Sequence, residues 1–141
     1  WLGKVHLAIR GESETTRQHL LYADIGPTGP LGYPTSDQAI RRYHEYPFMP
    51  WDECERLGIT PDLVLIDGRF RLACMLATLL CARPGCVVLF DDYFDRPYYQ
   101  SVETFVERGP AHDRMCEFNV PATLDRDGIW KAFLATMNDA R

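Results

Sequence analysis

Pro61-Asp62-Leu63-Val64-Leu65-Ile66-Asp67-Gly68 and Cys86-Val87-Val88-Leu89-Phe90-Asp91-Asp92-Tyr93 are two short apolar runs, each closed by acid. Their length and β-branched content make Asp62–Asp67 and Cys86–Phe90 strands, the first expected to be buried on both faces. Between them Arg69–Ala82 reads as a helix. Phe70, Ala73, Cys74, Ala77, Leu80 and Cys81 fall on one stripe, and Arg83-Pro84-Gly85 ends it. Strand–helix–strand order predicts two parallel, adjacent strands joined by a right-handed crossover.

Upstream, His19–Asp24 reads as another strand ending in an acid. Ile25–Pro34 then holds three glycines and three prolines, which exclude regular structure. This stretch is either a substrate-facing lid or a stiff connector. Ser36 or Asp37 caps a short helix to about Glu45, Tyr46–Pro50 breaks it, and a second short helix follows Trp51 to Gly58. Tyr43, Tyr46, Phe48 and Trp51 form either the wall of a cleft or core packing. Downstream, Asp95 caps a helix with Pro97 in its first turn and Tyr98, Val102, Phe105 and Val106 inward. A strand at Met115–Val120 and a helix near Asp127–Asp139, with Trp130, Phe133, Leu134 and Met137 inward, complete the pattern. Residues 1–141 are thus expected to form one α/β domain, a Rossmann-like three-layer sandwich on a mostly parallel sheet.

With 141 residues, one core is the expectation. The net charge of −5 disfavours a nucleic-acid backbone as partner. No apolar run approaches the roughly 18 residues of a membrane span, and the opening residues do not read as a signal peptide. The five cysteines, Cys54, Cys74, Cys81, Cys86 and Cys116, form no C-x-x-C pair. They read as reduced core residues of a cytoplasmic protein. The chain begins at Trp1, and further residues upstream are expected.

Ligands of open α/β sheets sit beyond the carboxyl ends of the strands, where Asp24, Asp67, Asp91 and Asp92 fall. Adjacent strands lie about 5 Å apart, so Asp67 and Asp91-Asp92 can converge. Clustered carboxylates repel unless a proton or cation intervenes, and an all-oxygen set suits Mg²⁺. Simple turn capping is the alternative. His44 and His112 fall in predicted loops and read as solvated.

The order P-D-L-V-L-I-D-G, helix, R-P-G, V-V-L-F-D-D-Y resembles the second half of S-adenosylmethionine-dependent methyltransferases. The nearest are the metal-assisted O-methyltransferases of the macrocin and catechol types. The resemblance spans about Leu20 to Val120. It implies a metal on Asp67, Asp91 and Asp92, and places Asp24 and Gly26 beside the adenine of the cofactor. The implied reaction is methyl transfer to an oxygen of a small hydroxylated acceptor. Two departures stand out. Arg69 replaces the second acid of the family's D-G-D, the proposed general base. A guanidinium accepts no proton near neutral pH; it binds an anionic substrate or neutralises Asp67 instead. Gly3 and Gly11 also make no G-x-G-x-x-G, as expected of a domain lacking roughly 60 upstream residues. No catalytic residue is assigned. The alternative is a degenerate methyltransferase-fold binding module. Phosphoryl chemistry is disfavoured, since no D-x-D follows a strand and no lysine ends a later one.

Overall fold

The computed structural model describes residues 19–141; the reading of Gly3 and Gly11 lies outside them. The two diagnostic runs form β1 (Leu63–Ile66) and β2 (Val87–Phe90). They are parallel neighbours, with Leu63 opposite Val87 and Ile66 opposite Phe90. The helix between them, Arg71–Cys81, is preceded along the chain by Glu45–Leu57 and followed by Arg126–Thr136; these are α2, α1 and α3.

The expected mostly parallel sheet is mixed instead. Arg108–His112 (β3) and Met115–Asn119 (β4) pair antiparallel, and β4 runs antiparallel to β2, giving the order β1-β2-β4-β3. The cause is the tight connection at Asp113-Arg114, with Asp113 at φ 57°. Two residues can join only antiparallel strands.

The strand register places Ile66, Phe90 and Cys116 in one row and Leu65, Leu89 and Glu117 in the next. The first row is buried beneath the helical layer, whereas Leu65 is 60% exposed, as is Leu63 at 58%. The described residues therefore build two layers, not three, and β1 is an edge strand rather than one buried on both faces. α2 carries more than a stripe. From Arg71 to Leu80 every residue except Cys74 is buried, because α1 and α3 pack on the same helix that covers the sheet.

Other elements differ from expectation for local reasons. His19–Asp24 forms no regular element and joins no ladder among the described residues, and Tyr22 is exposed. α1 runs unbroken through two prolines. Pro47 sits in the first turn, where a missing N–H costs nothing, and Pro50 forfeits a single bond. Gly58 ends α1 in the left-handed region, its N–H donating to the Cys54 and Glu55 carbonyls. Asp37–Arg42 and Pro97–Thr104 are 3-10 helices, the latter preceded by Arg96 with no side-chain cap from Asp95. α3 is capped by Asp125, which accepts from the Gly128 N–H. Among the described residues no helix is long and apolar enough to cross a membrane.

Candidate functional site

β1 and β2 end side by side, tied by the Asp91 N–H donating to the Ile66 carbonyl at 3.0 Å. Asp67 follows one strand and Asp91-Asp92 the other, so the three acids gather at one sheet edge as the spacing predicted. What joins them is a side chain the sequence did not single out. Phe70 adopts the left-handed conformation (φ 53°, ψ 34°) and turns the chain sharply into α2. Arg71, in the first turn, then leans back toward the strand ends. It is 4% exposed. Its Nη2 donates to Asp67 Oδ1 at 3.1 Å, its Nη1 to Asp92 Oδ2 at 3.0 Å and the Asp91 carbonyl at 2.9 Å, and its Nε to the Gly68 carbonyl at 3.0 Å.

Two further guanidinium groups close on the same acids. Arg96 donates to Asp92 Oδ2 at 3.0 Å, and Arg114 approaches Asp91 Oδ1 at 2.8 Å and Asp92 Oδ1 at 3.5 Å. Desolvation works against the Asp92 carboxylate, but the charge and hydrogen bond of Arg71, then Arg96 and Arg114, outweigh it and hold its pKa below the ordinary Asp value. Asp67 goes the other way. Desolvation, then a hydrogen bond and repulsion from Asp91, raise its pKa despite Arg71, although about half its side chain is exposed. Asp91 Oδ2 is buried without a hydrogen-bond partner, 3.8 Å from Arg71 Nη1.

This environment does not suit the expected magnesium site. Each carboxylate is engaged by at least one guanidinium, and a divalent cation would have to displace Arg71 from the centre of the set. Among the described residues no group of three or more His, Cys, Asp or Glu is arranged to hold a metal ion.

Arg69 neither pairs with Asp67 nor extends into solvent. Its guanidinium lies over the Tyr33 ring, 4.3 Å from the centroid. Tyr33 is delivered by the Gly- and Pro-rich loop, which is a stiff hairpin-like turn. The Gly29 N–H donates to the Tyr33 carbonyl at 2.8 Å, the Thr35 N–H to the Pro27 carbonyl at 2.9 Å, and Thr28 bridges Pro34. Desolvation opposes ionisation of Tyr33, but Arg69 and then Arg96, by charge and hydrogen bonding, bring its pKa below the usual phenol value. Arg96 reaches Tyr98 Oη at 3.5 Å, and Arg141 lies over the Tyr98 ring at 4.5 Å. The neighbouring Tyr99 is fully buried, its hydroxyl beside that of Tyr98. These residues escaped the sequence reading because only the fold brings them together. The spacing R-F-R was the one available signal for Arg71.

Asp24 and Gly26, expected beside a cofactor, form a local turn. Asp24 Oδ1 accepts from the Gly26 N–H at 3.1 Å, and its Oδ2 from Arg42 at 2.6 Å. Tyr43 and Tyr46 pack on Phe70 at 5.0 and 5.3 Å, and Phe48 stacks on Trp130 at 5.7 Å. Tyr43 and Phe48 are core residues, whereas Tyr46 and Trp51 also line an apolar groove of about 390 Å³ between α1 and the β1 edge. The five cysteines are free thiols. His44 is exposed, and His112 pairs with Glu117 at 2.8 Å on the surface.

No protein-family model matches the chain, and no curated protein matches it. A solved structure does, that of a methyltransferase-like protein from Silicibacter pomeroyi DSS-3. The two share 34% identity with a TM-score of 0.85, and the match covers 99% of this chain and 72% of that one.

Proposed function

The chain belongs to the family of that methyltransferase-like protein, and from this premise we propose that it transfers a methyl group to an oxygen of a small acceptor held at the carboxyl ends of β1 and β2. The observation that carries the reading is the convergence of Asp67, Asp91 and Asp92 on Arg71 at the ends of adjacent parallel strands, the place where such sheets bind ligands. S-adenosylmethionine is the proposed donor; it would supply an electrophilic methyl, its sulfur–methyl bond breaking to leave the neutral thioether. Asp24 and the Gly26 N–H are engaged locally, with each other and with Arg42.

The protein's own residues divide the remaining work. Arg71 fixes the positions of three acids at once and supplies positive charge at the place where the resemblance to metal-assisted O-methyltransferases would put a metal. Asp67 is the acid that solvent reaches, and its raised pKa makes it a stronger base than an ordinary aspartate. It takes the proton from the acceptor hydroxyl as the oxygen attacks. Fixed dipoles and charges around the acceptor cost no reorganisation during the reaction.

The test is incubation with methyl-labelled S-adenosylmethionine and a panel of small hydroxylated acceptors, in EDTA and in Mg²⁺. Label transfer that survives EDTA and is lost in Asp67→Asn supports the reading. A second reading, a binding module without catalysis, is favoured by the ion pairing of all three acids. It takes over if no acceptor is labelled and calorimetry finds no binding of S-adenosylmethionine.

A further inference from the structure

We infer that the acceptor carries an oxyanion, a carboxylate or a phosphate, and that Arg69, Arg96 and Tyr33 form the subsite for it. The inference deepens the methyl-transfer reading, since it rests on placing the acceptor at this strand end.

Charge is the first argument. The guanidinium groups of Arg71, Arg96 and Arg114 surround three carboxylates, and a fourth, that of Arg69 two residues after Asp67, lies over Tyr33. Asp92 alone is shared among Arg71, Arg96 and Arg114. Arg69 pairs with no carboxylate among the described residues. The site is therefore short of negative charge, and the shortage is localised at Arg69.

Satisfaction of polar groups is the second. Arg69 Nη1 is buried without a hydrogen-bond partner among the described residues. Buried donors left unpaired are rare and call for an explanation. An oxyanion with two or three acceptor oxygens provides one.

Shape is the third. Arg69, over the Tyr33 ring, and Arg96 both act on the Tyr33 phenol, so two like charges are held near one another by a phenol rather than separated by an acid. The planar fork of arginine matches carboxylate and phosphate oxygens in pairs. Tyr33 itself is placed by the internally bonded Thr28–Pro34 turn, so the wall of the subsite is formed before anything binds. The Arg69 guanidinium lies 4.3 Å from the centroid of the Tyr33 ring, so the cation already sits against that wall.

The test is titration calorimetry with inorganic phosphate and, separately, with acetate at matched ionic strength, on the wild-type protein, Arg69→Gln and Tyr33→Phe. The inference expects one-to-one binding of at least one anion, weakened tenfold or more in Arg69→Gln and several-fold in Tyr33→Phe. Phosphate binding alone identifies a phosphorylated acceptor, and acetate binding alone a carboxylated one. Binding of neither anion, or binding unchanged in Arg69→Gln, overturns the inference. Tyr33→Phe keeps the ring under Arg69 and guards against a folding defect in the other variant. Anion binding without methyl transfer overturns the transfer reading and leaves the subsite standing. Transfer without anion binding does the reverse.

Discussion

Arg71 is the residue on which the strand ends depend. It is buried and makes four hydrogen bonds, to two carboxylates and two carbonyls. Removing one side of a buried ion pair costs about 3–5 kcal/mol, because the remaining charge is stranded. Arg71→Met is expected to lose that much in urea denaturation, and Arg71→Lys less, since it keeps the charge but not the fork. A loss below about 1 kcal/mol in Arg71→Met would mean the acids relax into water and the cluster is not preorganised. Asp92 gives a pH test of the same network. Its native pKa lies below the ordinary 3.8, so between the two values the unfolded chain binds more protons. The stabilisation is complete above 3.8 and is lost as pH falls through the native value. Asp92→Asn is therefore expected to be less stable than wild type by a constant margin from neutral pH down to weak acid, with the margin closing below that point. Asparagine tolerates the positive φ of this position, 56°, so the backbone is not a confounding cause. A margin that stays open in strong acid would mean the loss is not one of charge. At this scale the three acids were legible, because strand ends are read from hydrophobic run lengths. Arg71 was not. One left-handed residue, Phe70, decides which of two arginines turns inward, and no sequence pattern announces that a phenylalanine will adopt φ 53°.

Elements were legible where burial dictates pattern and illegible where it does not. β1, α2 and β2 were read within a few residues of their bounds, α2 and β2 because each carries a run of apolar side chains that is hidden, and β1 because its run is apolar and closed by acid although Leu63 and Leu65 stay exposed. β3 was missed. All five of its residues, Arg-Gly-Pro-Ala-His, are exposed, and its place in the sheet comes from pairing with β4 rather than from its own composition. Gly109 is required there by close approach, since a Cβ would lie 2.8 Å from the Glu117 carbonyl oxygen. The first turns of α1 read as a break at Tyr46–Pro50 and only the part after Trp51 as helix, because a proline is harmless in a first turn but reads as a breaker in sequence. α3 offers the cleanest test of a local signal. Asp125 Oδ1 accepts from the Gly128 N–H at 2.9 Å, satisfying one of the free donors at the helix start. Loss of such a cap costs about 1 kcal/mol. Asp125→Ala is expected to lower the urea midpoint by that equivalent with an unchanged slope, whereas Asp127→Ala, in the same turn but outside the cap, should lose less. Equal losses would assign the effect to charge near the helix dipole rather than to the hydrogen bond.

Taken whole, the molecule is graded in stability from its centre outward. The parallel pair and its crossover helix were foreseen; the antiparallel hairpin and the open sheet face were not, because sheet order and layering are properties of the assembled chain. α2 is buried on almost every side, packed by α1, α3 and the sheet. β2 is paired on both edges, by β1 and β4. β3 by contrast is fully exposed, paired on one edge among the described residues, and its register with β4 shifts between Arg108 and Ala111. Local opening requires little exposure of apolar surface at such an edge and a great deal in α2. Native-state hydrogen exchange should therefore rank the α2 amides from Met75 to Leu80 and those of Val88 to Phe90 slowest, opening only with global unfolding. The β3 amides should exchange orders of magnitude faster, and the two groups should respond differently to urea. The slow group should show the slope of global unfolding and the β3 group almost none. Protection of β3 equal to that of α2, with a common slope, would show that the hairpin is held by contacts beyond those of β4 and that the molecule opens as one cooperative unit.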